Sequence, residues 1–284
     1  MSPRGVAVLA DSACDLAPDA AKAEGILLVP LLVTFGTETL RDGADLPADP
    51  FWERMAGETE LPTTASPSPE AFLSAYEAAA EDGAAGVISV HLSARLSRTA
   101  DSARLAADGA SVPVEVIDTR SVSSGQALVA LAAARRARAG GDLAAVAAAA
   151  RSAVGRLSVV AVLDTVDHLR RGGRVGRTAA ALSDLLRIRP VLSLDEGEPV
   201  LVARARTRAR ALDEAVARVA GPSEAAVVFH AGAPEAEVVA SRVAEACGVL
   251  PTIGLIGAVT GTHLGPRALG VAALRTAPRE GRVD

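Results

Sequence analysis

Short apolar runs alternate along the chain with longer segments in which Ala, Leu and Val recur at helical spacing. Residues 5–10 read as a strand by length and β-branched content, and residues 16–24 as a helix ended by Gly25. Residues 26–35 predict a second, long strand interrupted by Pro30. Residues 41–45 predict a turn, and residues 50–57 a short helix carrying Trp52. The stretch 61–69 holds three prolines, which restrict φ and remove N–H donors. It reads as a stiff loop that fixes Thr63, Thr64 and Ser66 before a helix over 70–81, with Ser68-Pro69 as its cap and first turn.

The β-α alternation continues. A strand is predicted over 86–92, a helix over 100–109, a strand over 114–119, and helices over 126–139 and 143–154. Such alternation favours a parallel sheet with helices on both faces. Gly155 closes this half, so the boundary is placed near residue 156. Residues 1–156 then form a Rossmann-like α/β domain. Residues 157–284 form a second α/β domain, with a ligand cleft between the two.

The second half predicts a strand over 158–163, helices over 165–171 and 179–187, and an antiparallel hairpin over 190–203 turned at Glu196-Gly197. It continues with a helix to about 220, a strand over 225–230, a helix over 234–247, a strand over 253–258, a loop around His263 and a last strand over 269–274. A hairpin beside β-α units makes this sheet mixed.

Composition narrows the function. Aromatics are 2% of the chain, so Ala, Val and Leu must fill its core. No apolar run approaches the roughly 18–20 residues needed to span a bilayer, and no long apolar signal segment is seen. A cytoplasmic protein is the expectation. A net charge of −5 argues against a nucleic-acid partner. Cys14 and Cys247 are too few for a zinc site, and are expected as free thiols. No phosphate loop, dinucleotide fingerprint, zinc-protease motif or nucleophile elbow is present. No cofactor, metal or catalytic residue is predicted.

Three features remain. Ser93, Ser97, Thr99 and Ser102 crowd the start of the 100–109 helix, where unpaired N–H groups attract anions, although on this stretch alone simple capping is the better reading. Arg174 is presented by the Gly172-Gly173 turn. His263 lies between Gly261 and Gly265, available as donor, acid or base. Hydroxyls, a histidine and arginines on an apolar body suit an anion attached to an apolar tail.

The order of motifs resembles the DegV family of bacterial fatty-acid-binding proteins. The resemblance runs from Val6 to about Ala273. It is carried by Asp11-Ser12 with Asp15-Leu16, Pro30-Leu31, Asp42-Gly43, Thr64 with Pro67-Ser68, and Leu96-Ser97 with Thr99 and Ser102-Ala103. Leu169 with Gly172-Gly173-Arg174, Arg187-Ile188 with Pro190, and Gly261-Thr262-His263 with Gly265-Pro266 complete it. The resemblance implies two α/β domains enclosing one long-chain fatty acid, its carboxylate met by Thr64, Ser97 and His263, with Ser66, Thr99 and Arg98 close by. It implies a separate ATP-dependent kinase subunit as partner, forming acyl phosphate, with Arg174 and Arg206 serving that role. Transient membrane contact is compatible with such a carrier.

The chain departs from the family pattern in three places. Ala65 replaces the loop serine and Ser66 follows it. Arg98 stands where the family has glycine, and Arg267 replaces a glycine after Pro266. The two added cations are expected near the head group, where a phosphate or larger acidic head would also fit. Two other readings stand beside the carrier. One is an enzyme acting on an acyl or phosphoryl ester through Ser97 and His263. The other is a ligand-sensing interaction protein.

Overall fold

The structure is a computed structural model and describes residues 5–176 and 188–277. Its first half runs β1 (Val6–Asp11), α1 (Pro18–Ala23), β2 (Ile26–Val29), β3 (Leu32–Phe35), β4 (Glu38–Arg41), α2 (Ala48–Met55), β5 (Thr63–Ala65), α3 (Pro69–Glu81), β6 (Gly86–His91), α4 (Thr99–Ala107), β7 (Val114–Asp118), α5 (Ser124–Arg138) and α6 (Leu143–Arg156). β1, β2, β6 and β7 form a parallel sheet in the order β2-β1-β6-β7. Successive side chains of a strand point to opposite faces, which sorts the two packing layers. Val8, Ala10, Ile88 and Val90 pack with α5 and α6, while Leu9, Val29 and Val87 pack with Phe72 and Tyr76 of α3 and with α4.

The second half runs β8 (Leu157–Val162), α7 (Asp167–Arg171), β9 (Arg189–Asp195), β10 (Glu198–Ala205), α8 (Arg208–Val219), β11 (Ser223–His230), α9 (Ala236–Cys247), β12 (Thr252–Leu255), α10 (Ala258–Leu264) and β13 (Leu269–Arg275). Its six strands lie in the order β10-β9-β8-β13-β11-β12. Only the β11–β12 pair is parallel, so the sheet is mixed as expected. α8 and α9 cover one face. α5 covers the other while also packing on the parallel sheet. It is therefore apolar nearly all round its first three turns, as a helix enclosed on all sides must be. Ala at Ala127, Ala130, Ala133 and Ala134 lets both sheets approach it closely.

Four expectations need correction. Residues 26–35 are two strands in two sheets. Pro30 has no N–H for a ladder, so β2 ends before it, and β3 joins a separate antiparallel sheet in the order β4-β3-β5. The stiff loop at 61–69 contains a short edge strand, β5, where prolines at either end do not interrupt pairing with β3. The strand expected over 253–258 is β12 and stops at Leu255. The loop around His263 is the helix α10. The helix expected over 179–187 lies outside the described residues, as does Arg187 of the Arg-Ile-x-Pro stretch.

Residues 256–264 are coded in the second half of the chain but pack on elements of the first. Trp52 Nε1 donates to the Ile256 carbonyl at 2.8 Å, and α10 contacts α2, β3 and β5 as well as α7. Among the described residues, no helix is long and apolar enough to cross a membrane.

Candidate functional site

A cavity of about 380 Å³ opens between the six-stranded sheet and the connections that leave the C-terminal ends of the parallel strands, with β5 and α10 closing it. β8, β9 and β11 supply Val159, Ala161, Leu192, Leu194 and Phe229. The β6–α4 connection and the stretch before α5 supply Leu92, Leu96 and Val122. α10 adds Val259 and Leu264. These side chains make an apolar wall of a size ordinary for a small-molecule site.

The polar lining gathers in one place. Thr64 Oγ1 on β5 lies 2.9 Å from His263 Nε2 on α10. Ser66 Oγ lies 2.9 Å from Ser97 Oγ, and Ser97 Oγ lies 2.8 Å from Thr99 Oγ1. Thr99 closes the triangle by donating to Ser66 at 3.2 Å. Arg174 donates through Nε to the Leu96 carbonyl at 3.3 Å and through Nη1 to Gly172 O at 2.6 Å, which draws its guanidinium to the cavity edge. The sequence-predicted Thr64, Ser66, Ser97, His263 and Arg174 are thus brought together. Thr99 is fully buried behind Ser66 and Ser97 and does not line the cavity.

The other predicted cations fall elsewhere. Arg98 borders the cavity, but its side chain is 87% exposed and pairs with Asp101 at 3.1 Å. Arg206 is exposed in the turn between β10 and α8, away from the lining. Arg267, expected near the head group, is not a lining residue. It pairs with Asp164 and Glu235 in a network shared with Arg208. Ser93 is fully buried and donates to Gly197 O at 2.8 Å, a structural bond that ties the β6–α4 connection to the β9–β10 turn.

His263 is a neutral group here. Burial lowers its pKa to about 4, with the nearby charges of Arg174 and His168 acting in the same direction. Its Nδ1 is buried and has no hydrogen-bond partner among the described residues. That edge of the ring faces Gly172, where a Cβ would come within 2.3 Å of Nδ1, so the Gly-Gly-Arg turn must begin with glycine for the ring to sit against Thr64. The nucleophile–base pair that the alternative ester-chemistry reading needs is not formed. Ser97 is bonded to Ser66 and Thr99, His263 to Thr64, and among the described residues no carboxylate orients the imidazole.

Three lining hydroxyls are not among the site residues predicted from the sequence. Ser123 precedes α5, Thr260 lies on α10, and Ser193 lies on β9, where it donates to the Val159 carbonyl at 2.8 Å. The run Ser121-Val-Ser-Ser124 at a strand-to-helix junction was the available signal for the first. The second carries no signal in the sequence, because the glycines around it read as loop. A smaller cavity of about 260 Å³, lined by Thr119, Arg120 and Glu196 among others, shares Val159 and Leu194 with the main one. Those two side chains stand between them.

The DegV family model, described as an uncharacterised protein family, matches residues 5–276. A DegV domain-containing protein of Streptomyces coelicolor is 37% identical over 275 residues, covering 94% of this chain and 98% of that relative. One from Mycobacterium tuberculosis is 37% identical over 277 residues, covering 94% and 96%. Among solved structures, a DegV family protein from Thermus thermophilus described by its fatty acid binding superposes with a TM-score of 0.86 at 30% identity, over 95% of this chain and 99% of that one. DegV of Bacillus subtilis, described as a fatty acid binding protein, superposes with a TM-score of 0.85 at 29% identity, over 96% and 100%. The chain belongs to the DegV family.

Proposed function

We propose that the protein binds a long-chain fatty acid, with the chain along the apolar wall and the carboxylate among Thr64, Ser97 and His263, and with Ser66 and Thr99 holding Ser97 in place. The observation that carries this reading is a single cavity in which an apolar wall meets one cluster of neutral hydrogen-bonding groups. Each buried CH₂ contributes about 0.8 kcal/mol, so the chain supplies most of the affinity. The hydroxyls and imidazole offset the desolvation of the carboxylate and orient it. If His263 Nε2–H donates to Thr64, the Thr64 hydroxyl hydrogen is left for the ligand. The fatty acid binding described for the Thermus and Bacillus relatives supports the same assignment.

In this reading the segments 1–156 and 157–284 act as two lobes around the ligand. The carboxylate is presented near Arg174 to a separate ATP-dependent kinase subunit, which forms acyl phosphate. Arg174 at the cavity edge and Arg206 on the outer surface are the cations offered for that contact, and Arg98 stays at the rim. The setting is the cytoplasm, in keeping with two free cysteines. Ester chemistry by Ser97 and His263 is disfavoured by the hydrogen bonds that each already makes to other groups.

Mass spectrometry of organic extracts of the purified protein tests the binding reading. A bound C16–C18 acid is expected. Protein that is empty and takes up no such acid from vesicles rejects it. The kinase step is tested separately, by ATP consumption with a purified kinase subunit in the presence of the loaded protein.

A further inference from the structure

Two of the sequence motifs have no part in the site as described: Asp11-Ser12 with Asp15-Leu16, and Asp42-Gly43. In the fold they converge on the start of α10. Asp15 Oδ1 accepts from Gly257 N–H at 3.1 Å, and Asp42 Oδ1 accepts from Ala258 N–H at 3.1 Å. These are orphan donors of the helix that carries His263. Asp15 Oδ2 accepts from the Ser123 hydroxyl at 2.6 Å, and Asp42 Oδ2 from the Ser12 hydroxyl at 2.7 Å. Ser12 in turn accepts from Leu31 N–H at 3.0 Å, fixing the chain where it leaves the parallel sheet for β3. Gly257 is required for this approach, since a Cβ there would lie 2.8 Å from Asp15 Oδ1.

We propose that Asp15 and Asp42 are positioning residues for the ligand site: together they fasten the start of α10, coded in the second half of the chain, to the first half, and so hold His263 against Thr64. The proposal rests on the reading that the cavity takes a fatty acid. The path from clamp to site is short. Ser123, which donates to Asp15, lines the cavity, and so does Thr260, whose hydroxyl donates to the Ala13 carbonyl at 3.5 Å, two residues before Asp15. His263 follows three residues after Thr260, one helical turn on.

The clamp is also expected to sense protons. Among the described residues, no cation pairs with either carboxyl. Burial, with the charge of Asp42 adding to it, pushes Asp15 up to about 8; burial pushes Asp42 up to about 6, Asp11 adding to it. The titratable groups facing the pair are Asp11 on β1, which is engaged by His91, and the buried Cys14 thiol, which burial raises well above its ordinary value. α10 brings only N–H groups and the Thr260 hydroxyl to the clamp. Near neutral pH the pair therefore holds one proton. Above about 8 it carries two buried like charges, which favours opening to water.

The test uses the intact protein and cis-parinaric acid, whose fluorescence rises in an apolar cavity. Wild-type affinity is expected to fall at least fivefold between pH 6.5 and pH 9. Asp15→Ala is expected to weaken binding at least tenfold at both pH values. Asp15→Asn, which keeps an acceptor for Gly257 but cannot ionise, is expected to restore binding and to flatten the pH profile to within twofold. A purely structural aspartate would not give the flattened profile. Hydrogen exchange of the peptide spanning 257–264, measured without ligand and corrected for intrinsic rates, should lose protection from pH 6.5 to 9 in wild type but not in Asp15→Asn. Asp15→Asn tracking the wild-type profile in exchange, or Asp15→Ala binding as wild type, overturns the proposal. Should wild type fail to bind the probe at every pH, the fatty-acid reading fails and the exchange result alone decides the clamp. Should Asp15→Ala not fold, the comparison of Asp15→Asn with wild type decides it.

Discussion

The molecule contains two histidines hydrogen-bonded to a hydroxyl, and their surroundings are opposite. His91 on β6 belongs to a chain of side chains. Tyr76 donates to Ser89 at 2.9 Å, Ser89 Oγ lies 2.7 Å from His91 Nε2, and His91 Nδ1 lies 2.9 Å from Asp11 Oδ2. Hydroxyl, imidazole and carboxylate stand in the order of a catalytic triad, yet Ser89, His91 and Asp11 are all fully buried. His263 borders a cavity, bonds to Thr64 and has no acid behind it. The complete relay has no access, and the accessible histidine has no relay. Burial therefore decides what each arrangement can do: the first fastens β1 and β6 to the α3 layer, and the second is open to a ligand of the kind proposed.

The largest effect should come from breaking the buried chain. Asp11 accepts from Leu92 N–H at 3.0 Å and Ala13 N–H at 3.1 Å besides facing His91. Asp11→Ala leaves those groups unpaired in the core, at about 3–5 kcal/mol of stability. Urea unfolding followed by circular dichroism measures it. A loss below about 1 kcal/mol would mean that the chain contributes little to the fold.

His263→Ala should do the reverse. A hydrogen bond to a charged group is worth about 1.5–3 kcal/mol, so affinity for a fatty-acid probe should fall by about 10- to 150-fold. The unfolding midpoint should move far less than for Asp11→Ala. Equal stability losses in the two variants would erase the distinction between a structural and a recognising histidine.

Titration sharpens the contrast further. His263 titrates near 4 in the folded protein against 6.5 for an ordinary imidazole. The unfolded chain therefore binds more protons between about 4 and 6.5, and this residue's share of stability is lost as pH falls through that window. The slope is at most about 1.4 kcal/mol per pH unit. His263→Gln should accordingly gain on wild type as pH drops from 6.5 towards 4, read by thermal unfolding in parallel buffers. Unchanged relative stability would place His263 in a more polar setting than its neighbours imply.

How much of this was legible in the chain follows from the range of the interactions involved. β1, β6 and β7 announce themselves through length and β-branched content, and the β-α alternation suffices for the parallel sheet. Pro30 marks a break but not a change of sheet, because the pairing of β3 with β5 depends on residues thirty positions away. α10 is hidden because Gly257 reads as the end of a strand and Gly261 and Gly265 as loop, whereas all three make room for tertiary neighbours: Asp15 at Gly257, Trp52 with Phe51 at Gly261, and His168 at Gly265. Thr64, Ser97 and His263 are candidates through motif order, and the fold puts all three on the lining of one cavity. The pairing of Ser97 with Ser66 rather than with His263 could not be read, since hydroxyl partners are chosen by tertiary placement. Arg267 looked like a head-group cation and proves to be held by Asp164 and Glu235, two acids that no sequence spacing connects to it.

Arg98 gives the smallest and most discriminating test. The family pattern has glycine at this position, so an arginine there first suggests a cation aimed at the ligand. Its backbone sits at φ −83° and ψ 9°, which any residue adopts, so no strain demands glycine in this chain. The side chain points outward, and its i,i+3 partner Asp101 is itself 52% exposed and shared with Arg104. Exposed pairs of this kind contribute about 0.3–0.5 kcal/mol at most. Arg98→Gly should therefore change fatty-acid affinity less than twofold, with no greater effect at low salt. A loss above tenfold that vanishes at high salt would show that Arg98 folds over the cavity mouth when the anion arrives, and would move recognition from neutral hydroxyls to a mobile charge. An unchanged affinity leaves the neutral cluster of Thr64, Ser97 and His263 as what tells a carboxylate from an uncharged head, with Arg174 at the edge supplying a positive charge that is felt at His263.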